Sequence, residues 1–404
     1  MITYEGVMEA YLDCRRKKRR TANALKCEAA MEDVIAELVD AVNNRSYTPS
    51  RSIAFIVTYP RYREVFAADF KDRIMHHYVA LRLEPLFENV LNDRTFNCRK
   101  GKGTLCGIQQ LKEDIYSCSE GYTKDCYIAK FDIKGFFMSI SKPLIHQMVD
   151  AFISNNYTGE DKEDLRFICK QINLHHPENN CIKQSRQEMW KHIPPNKSLF
   201  TNEPSRGVPI GNLPSQIFAN FVLDKFDWEI EKQGFKYHGR YVDDSYVIHP
   251  NKDKLLELAA HLRAYLRDEL QLELHPNKFY LQHYTKGVEF IGAFVKPYRS
   301  YILNRSVFKL KQQIRRMNKS RNLAEIKRNI HSINSYLGLM GHHSSYGIRR
   351  RLLKEISPRV HKYLYITNHH KKVALKKKYK DAEIYKERIR NGEFYKFTLA
   401  EPIL

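Results

Sequence analysis

The sequence lacks long apolar runs and closely spaced cysteine pairs. No stretch of its 404 residues reaches the roughly 18 apolar residues that a membrane-spanning helix needs, and its first residues lack the apolar core of a signal peptide. The eight cysteines include no Cys-x-x-Cys pair, and the group Cys169, His175, His176 and Cys181 fits no recurrent zinc spacing. We therefore expect a cytoplasmic protein with free thiols and no membrane partner.

The composition is that of a folded protein with a basic end. Hydrophobic residues make up 43% and aromatic residues 12%, which excludes a disordered chain. Lys and Arg outnumber Asp and Glu by 68 to 46, and the net charge of +22 predicts a polyanionic partner, either nucleic acid or an acidic membrane surface. Residues 301–404 carry 25 Lys or Arg against 7 Asp or Glu, which is 18 of the 22 net charges. This asymmetry favours a basic clamp on a mixed-charge body; the alternative is a solvated basic tail.

Helical and strand patterns alternate through the middle of the chain. Apolar alternation predicts strands at residues 52–57, 65–68, 127–131, 237–241, 245–249, 279–283 and 289–295. Helical periodicity is found at residues 5–42, 69–87, 105–118, 215–231 and 253–270. Residues 174–205 are rich in Pro, Asn and Lys and predict a loop or insertion, whereas the chain from Ser306 onward predicts helices. The pattern indicates a mixed α/β protein with a helical end.

Acidic residues follow two of these strands. Asp132 comes directly after the apolar segment 128–131, and Asp243 and Asp244 lie between two predicted strands. Three carboxylates brought together need a counter-charge, and their natural companion is a hard divalent cation such as Mg²⁺. Two such ions about 4 Å apart would stabilise the attacking and leaving oxygens of a phosphoryl transfer. Taken alone, however, an Asp-Asp pair is more typical of a hairpin turn.

The motifs around these carboxylates resemble those of reverse transcriptases. Residues 241–244 (Tyr-Val-Asp-Asp) resemble the catalytic box, and residues 131–137 resemble the first metal-binding motif. Residues 207–216 lie between them and resemble the middle motif of that family, in the order that the family requires. Further matches at residues 63–73 and 289–293 extend the resemblance over about residues 50–345.

The middle motif resembles one branch of that family. Most reverse transcriptases have Gln-Gly and Ser-Pro where this chain has Ile210-Gly211 and Ser215-Gln216, and this form resembles the enzymes of diversity-generating retroelements. The segments 197–200 and 335–338 resemble the same branch. A defence-related or group II intron-type reverse transcriptase is the first alternative. A non-catalytic RNA-binding module with the same fold is the second.

The resemblance implies roles at the metal centre. By it, Asp132, Asp243 and Asp244 bind two Mg²⁺ ions, for which Mn²⁺ could substitute, and the backbone carbonyl of Ile133 is an additional ligand. Lys278 lies where polymerases often place a general acid for the pyrophosphate leaving group. Residues 275–278 (His-Pro-Asn-Lys) could equally form a capped turn.

The resemblance also implies a nucleotide site and a primer grip. The residues that it assigns to the incoming dNTP are Arg63, Lys71, Arg73, Phe137, Ile210, Gly211 and Gln216. Phe137 matches the ring that excludes a 2′-hydroxyl, whereas Phe136 is expected in the core. Ile210 replaces a polar side chain, and the lost contact weakens base discrimination by an amount on the order of 1 kcal/mol. In this branch it is associated with errors opposite template adenine; alternatively, it packs the junction of two subdomains. The primer grip matches Phe290, Ile291 and Gly292.

The implied architecture is an α/β (α+β) right-hand polymerase, with a ferredoxin-like antiparallel sheet in its palm. We expect an N-terminal segment and fingers over 1–125, palm over 126–145, a fingers insertion over 146–205, palm again over 206–295 and a basic helical thumb over 296–404. The implied partners are a template RNA, the primer and cDNA, dNTPs and a small oligomeric accessory protein. The resemblance implies a bacterial, archaeal or phage gene, and the length leaves no room for an integrase, ribonuclease H or endonuclease domain.

Overall fold

The computed structural model of the protein describes residues 1–16, 21–59 and 61–379. The chain divides into two compact units, Met1–Tyr284 and Thr285–Leu404. Both units combine helices with antiparallel strands, so the predicted mixed α/β class is confirmed. Of the predicted basic clamp, residues 380–404 lie outside the described residues. Within the described part of the chain, no helix has the length and apolar character to cross a membrane.

The first unit begins with three helices, a hairpin and two longer helices. These elements are α1 (Tyr4–Arg15), α2 (Ala22–Ala29), α3 (Met31–Asn43), β1 (Ser52–Val57), β2 (Arg63–Ala67), α4 (Phe70–Val90) and α5 (Thr104–Cys118). Asp69 caps α4, because its Oδ1 accepts a hydrogen bond of 3.0 Å from the backbone N–H of Lys71, as the sequence predicts. Helix α4 is the centre of the unit, since most of its apolar side chains are buried.

The rest of the first unit builds a sheet and the helices packed on it. Its elements are β3 (Tyr127–Asp132), α6 (Phe136–Ser139), α7 (Lys142–Asn156), α8 (Lys162–Asn173), β4 (Cys181–Lys183), α9 (Gln187–Trp190), α10 (Leu213–Lys232), β5 (Tyr237–Tyr241), β6 (Asp244–His249), α11 (Lys252–Leu270) and β7 (Tyr280–His283). Strands β5, β6, β3 and β7 form an antiparallel sheet in that order. Helices α4, α7, α10 and α11 share one apolar core with it.

The segment 174–205 is more ordered than its composition indicates. The prediction of a loop is wrong at β4, which pairs in parallel with β1 from Ser52↔Cys181 to Ala54↔Lys183. A short helix, α9, and three single-turn 3₁₀ helices complete the segment. A strand of three residues is too short to show a periodic pattern. Strand β4 forms because it pairs with β1, which lies more than a hundred residues away in the sequence.

The second unit has its own core. Its elements are β8 (Val288–Phe290), β9 (Ala293–Lys296), β10 (Arg299–Ile302), α12 (Asn304–Asn318), α13 (Leu323–Met340), α14 (Tyr346–Leu353), α15 (Pro358–His361), β11 (Leu364–Ile366) and β12 (Val373–Leu375). Residues 289–295, predicted as one strand, form a hairpin, because Ile291 and Gly292 have φ of 46° and 82°. The prediction of helices throughout from Ser306 is also wrong, since β11 and β12 pair as antiparallel strands. The predicted subdomain boundaries stay a prediction.

Candidate active site

Two neighbouring strands bring the three predicted carboxylates to one edge of the first unit's sheet. Asp132 ends β3 and Asp244 begins β6, and they are directly opposite each other in the strand register. Because Tyr241 pairs with Asp244, β5 and β6 are joined by a two-residue loop of Val242 and Asp243. Asp243 therefore lies next to the opposed pair. The hairpin turn and the acidic cluster, which the sequence offers as alternatives, are formed by the same residues.

The carboxylates at this edge repel one another. Burial raises the pKa of Asp243, and the negative charges of Asp132 and Asp244 raise it further, while the ammonium of Lys278 opposes the shift. Lys278 Nζ lies 2.9 Å from Oδ1 and 3.0 Å from Oδ2 of Asp132. Lys130 Nζ lies 2.8 Å from Oδ1 of Asp244. Two lysines thus supply positive charge to a cluster that would otherwise be strongly anionic.

The loop before β7 carries Lys278 to Asp132. It runs along the end of β3, where His275 donates its backbone N–H to the Asp132 carbonyl at 2.8 Å and Lys134 donates to the Glu273 carbonyl at 2.9 Å. The turn is capped as well, since His275 Nδ1 accepts from the Asn277 N–H at 3.2 Å. The segment is thus a capped turn that directs the Lys278 ammonium group to Asp132, and the general-acid role of Lys278 stays a prediction.

The donor set at this edge suits a hard divalent cation. Carboxylate oxygens are ligands that Mg²⁺ takes, and a cation here would offset the negative charges of Asp132 and Asp244 that raise the pKa of Asp243. Among the described residues, no group of three or more His, Cys, Asp or Glu side chains is already arranged around one cation position. The residues that would hold the metal are Asp132, Asp243 and Asp244. The Mg²⁺ ions and the carbonyl ligand of Ile133 stay predictions.

Phe137 and Ile210, both predicted at the nucleotide, share an apolar cluster. They are partly buried and pack against the buried side chains Ala54, Phe66, Met138 and Leu199. Phe136, its neighbour on α6, is 3% exposed and belongs to the main core, where the sequence predicts it. Phe137 and Ile210 therefore pack on the same apolar cluster, which includes Phe66 of strand β2.

The loop of Ile210 and Gly211 is attached to β2. The Ile210 carbonyl accepts the backbone N–H of Phe66 at 2.9 Å. Gly211 has φ of 117°, and a Cβ atom there would lie 2.7 Å from Val65 Cγ1 and 2.9 Å from the Phe66 carbonyl oxygen. A side chain would force the loop away from the strand, so glycine is required for this contact. Gln216, exposed at the start of α10, accepts the Cys98 thiol hydrogen bond at 3.4 Å.

The predicted phosphate-binding residues lie along β2 and the start of α4. Arg63 begins β2 and is exposed. Arg73 Nε donates to the Ala68 carbonyl at 2.9 Å, and Lys71 Nζ pairs with Glu37 on α3 at 3.0 Å. Strand β2 thus connects Arg63 with the Ile210 loop, whereas the contacts of Lys71 and Arg73 are with their own helix start and with α3. Their nucleotide roles stay predictions.

The predicted primer grip is the β8–β9 hairpin of the second unit. Phe290 is fully buried, and Ile291 and Gly292 form the two-residue turn between Phe290 and Ala293. Positive φ at both positions is typical of a type I′ turn, which matches the twist of the flanking strands. The contact of this hairpin with a primer stays a prediction.

Two buried charged residues inside strands, Glu64 and Arg240, have no role that the sequence patterns predict. Glu64 on β2 is 1% exposed; its Oε2 accepts from the Ser198 hydroxyl at 2.6 Å and its Oε1 from the Leu199 N–H at 2.8 Å. Burial raises the pKa of Glu64. Arg240 on β5 is 1% exposed and lies two residues before Val242, the first residue of the turn between β5 and β6. A charged residue inside a predicted strand is the sequence signal for such a buried group.

Comparison with known proteins identifies the family. Residues 59–295 match the family model described as reverse transcriptase (RNA-dependent DNA polymerase). The match covers more than half of the chain and includes every residue named above from Arg63 to Gly292. The chain therefore belongs to the reverse transcriptase family.

Individual similarities are distant. Protein YkfC of Escherichia coli K12 is 19% identical over 277 residues, which are 60% of this chain and 66% of that protein. A telomerase structure from Candida albicans, in complex with a telomeric RNA fragment, has 11% identity and a TM-score of 0.45 over 76% of this chain and 55% of that one. Apo telomerase from Candida tropicalis has 13% identity and a TM-score of 0.48 over 76% and 57%. The chain spans less than two thirds of the length of each of these proteins.

Proposed function

We propose that this protein is an RNA-directed DNA polymerase that adds dNTPs to a primer on an RNA template. The observation that carries the proposal is the meeting of Asp132, Asp243 and Asp244 at one sheet edge, in a chain of the reverse transcriptase family. Two Mg²⁺ ions bound there would stabilise the attacking and leaving oxygens of nucleotidyl transfer. Mn²⁺ would substitute, because it also takes oxygen ligands.

The chain's own residues would position the nucleotide and supply a proton. Arg63, Lys71 and Arg73 would hold triphosphate oxygens, a task that suits guanidinium because it binds them in a fork and keeps its charge. Phe137 would lie under the sugar and exclude a 2′-hydroxyl. Lys278 would carry a proton to the pyrophosphate leaving group from its place beside Asp132.

We assign the subdomains as the sequence predicts them. Residues 126–145 and 206–295 would be the palm, 1–125 and 146–205 the fingers, and 296–404 the basic thumb. The antiparallel sheet that carries the carboxylates supports the palm, and the β1–β2 hairpin, joined to β4 from the insertion, supports the fingers. The charge of the thumb would face the phosphates of template and primer.

Within this class, the protein would serve a diversity-generating retroelement. It would copy a template RNA with errors at adenine, so that altered cDNA replaces part of a target gene, together with a small oligomeric accessory protein. Ile210 supports this branch, since it would give the nucleotide site an apolar side chain, packed on the same cluster as Phe137, in place of a hydrogen-bonding one.

Two observations test the proposal. The activity is tested by Mg²⁺-dependent dNTP incorporation on RNA templates; failure with every template and primer would favour a non-catalytic RNA-binding module. The branch is tested by the DNA beside the gene, where we expect a pair of near-repeats that differ at adenines. Active enzyme without such a pair would instead favour a defence-related or group II intron-type reverse transcriptase.

A further inference from the structure

A fully buried ion pair lies beneath the two-residue turn of Val242 and Asp243. The side chains of Arg240 on β5 and Asp227 on α10 are each 1% exposed. Arg240 Nε lies 2.9 Å and 2.8 Å from the two carboxylate oxygens of Asp227, and its Nη2 lies 2.7 Å from Oδ2. Thr95 donates its hydroxyl to the same carboxylate at 2.7 Å. The pair is therefore held in one geometry from several directions.

The remaining donors of Arg240 connect this ion pair with the turn of Val242 and Asp243. Its Nη1 donates to Asn220 Oδ1 at 3.0 Å and to the Val242 carbonyl at 3.1 Å. Its Nη2 donates to Thr95 Oγ1 at 3.1 Å. A planar guanidinium with fixed donor directions can hold that carbonyl in one place, which a flexible ammonium group cannot.

A neighbouring segment, residues 94–97, binds the other side of Val242. It lies along β5, where Arg240 donates its N–H to the Arg94 carbonyl and Phe96 donates to the Arg240 carbonyl, both at 2.9 Å. At its end, Asn97 Oδ1 accepts the backbone N–H of Val242 at 2.8 Å. Side chains of Asn97 and Arg240 thus hold both backbone polar groups of Val242.

Val242 needs this support because its backbone is strained. Its φ is 59°, in the left-handed region that a β-branched residue rarely adopts. A two-residue hairpin loop commonly has glycine where positive φ is required. Without fixed partners, a valine here would tend to relax, and the next residue, Asp243, would move with it.

We propose that Asn97 and Arg240 are positioning residues that fix the Val242 turn and thereby the direction of the Asp243 carboxylate. The effect of this positioning on catalysis rests on the proposed polymerase function, whereas the positioning itself does not. Replacing a buried ion pair by apolar residues is often neutral for stability, so stability alone gives no reason for this arrangement. The hydrogen bonds of Arg240 and Asn97 with the Val242 backbone do give a reason for it.

Asn97→Ala tests the proposal, with Asn92→Ala as the matched control. Asn92 is a buried residue of the same region, but its side chain bonds to the Arg94 N–H and to Glu231 instead of the turn. Side chains that orient metal ligands typically contribute 10- to 100-fold to affinity or rate. We expect Asn97→Ala to lower kcat by about that factor, with KM for dNTP little changed, and to weaken Mn²⁺ binding measured by calorimetry about tenfold. Asn92→Ala should leave both values close to wild type.

A second substitution separates positioning from general damage. Glycine adopts positive φ without strain, so Val242→Gly in the Asn97→Ala background should recover about tenfold of the lost kcat and Mn²⁺ affinity. The same substitution in the Asn92→Ala background should bring no gain. Thermal melts identify folded variants, and Asn97→Ser, which removes less volume, replaces Asn97→Ala if the latter does not melt cooperatively.

The outcomes distinguish this inference from the proposed function. The positioning role is overturned if Asn97→Ala and Asn92→Ala have equal kcat and Mn²⁺ affinity, or if Val242→Gly brings no recovery. The proposed function is still upheld in that case if the wild type polymerises dNTPs. A second outcome separates them the other way. If the wild type incorporates no dNTP, and if Mn²⁺ affinity falls in Asn97→Ala but not in Asn92→Ala, the positioning role is upheld and the proposed function is overturned.

Discussion

Asp132 and Asp244 lie directly opposite each other on the antiparallel strands β3 and β6. This register decides the chemistry of the site, because side chains alternate between the two faces of a sheet. A slip of one residue would turn one carboxylate to the other face and separate the pair. The buried pairs that follow along the two strands, such as Phe131↔Ser245 and Ala129↔Val247, hold the register in place.

Asp243→Asn should abolish activity and stabilise the fold. The loss of one carboxylate from the proposed cation-binding edge should lower the rate of dNTP incorporation at least about a hundredfold. The pKa of Asp243 is raised in the folded protein, so ionisation of this group disfavours folding. This cost in folding free energy is absent at pH values below the pKa of Asp243 in the unfolded chain. It is complete at pH values above the pKa of Asp243 in the folded protein. Asn removes it, and Tm should therefore rise at neutral pH, with a gain that shrinks as the pH falls toward 4.

Thermal melts of wild type and Asp243→Asn across pH check the stability part. An equal or lower Tm of the variant at neutral pH would contradict the raised pKa. The same shift in the metal-free protein predicts that Mg²⁺ binding weakens on acidification at a higher pH than an ordinary aspartate, near 3.9, would give. Mg²⁺ titrations across pH measure that decline.

Lys278→Met should have opposite effects on metal binding and on turnover. The ion pair with Asp132 is partly exposed, and such pairs are worth about 1 kcal/mol or less. In the variant, a cation no longer has to displace the Lys278 ammonium group from Asp132. It should therefore bind up to about fivefold more tightly than in the wild type. Loss of a general acid should lower kcat by on the order of a hundredfold.

Lys134→Met is the control for this prediction. Lys134 lies two residues beyond Asp132, and its Nζ makes an exposed ion pair of 2.9 Å with Glu273. Titrations of Mg²⁺ against initial rate should separate the two variants. Identical Mg²⁺ requirements and rates in both would leave Lys278 as a surface lysine with no special role.

Phe137→Ala should relax the choice of sugar. The ring is half-buried in the cluster with Ile210, so its removal opens space beside the predicted sugar position. Steric selection by such a group is worth about 1–3 kcal/mol, which is roughly 10- to 200-fold. The ratio of kcat/KM for dNTP and for rNTP should fall by that order. Phe136→Leu, in the core, is the control and should change Tm but not the ratio.

Ile210→Gln should improve fidelity. A side chain that can hydrogen-bond near the base pair should restore on the order of 1 kcal/mol of discrimination, about fivefold, chiefly opposite template adenine. Sequencing of cDNA made by wild type, Ile210→Gln and the apolar control Ile210→Leu measures this. Equal error rates opposite adenine in all three would remove Ile210 from the fidelity argument.

Local patterns predict most elements of this fold correctly. Apolar alternation and capping chemistry predict strand β1, the start of α4 at its Asp69 cap and the strands β5 and β6. Strand β4 could not be predicted, because its three residues acquire their structure from pairing with β1. Strands β11 and β12 are equally short and lie among helices, so the surrounding periodicity hides them.

The site divides in the same way. Acidic residues at strand ends predict the carboxylate edge, and the family resemblance supplies the residues around it. The supports of the turn cannot be derived from local sequence, since Asn97 and Val242 are 145 residues apart. A charged residue inside a strand, such as Arg240, indicates that a buried partner exists but not that the partner is Asp227.

Primer extension on an RNA template tests the central claim most directly. Wild type and Asp253→Asn, an exposed aspartate at the start of α11, should extend the primer with dNTPs in Mg²⁺. Asp132→Asn and Asp244→Asn should leave it unextended while all four proteins bind the RNA. Extension by Asp244→Asn at the wild-type rate, or no extension by wild type on any RNA template in Mg²⁺ or Mn²⁺, would contradict the account.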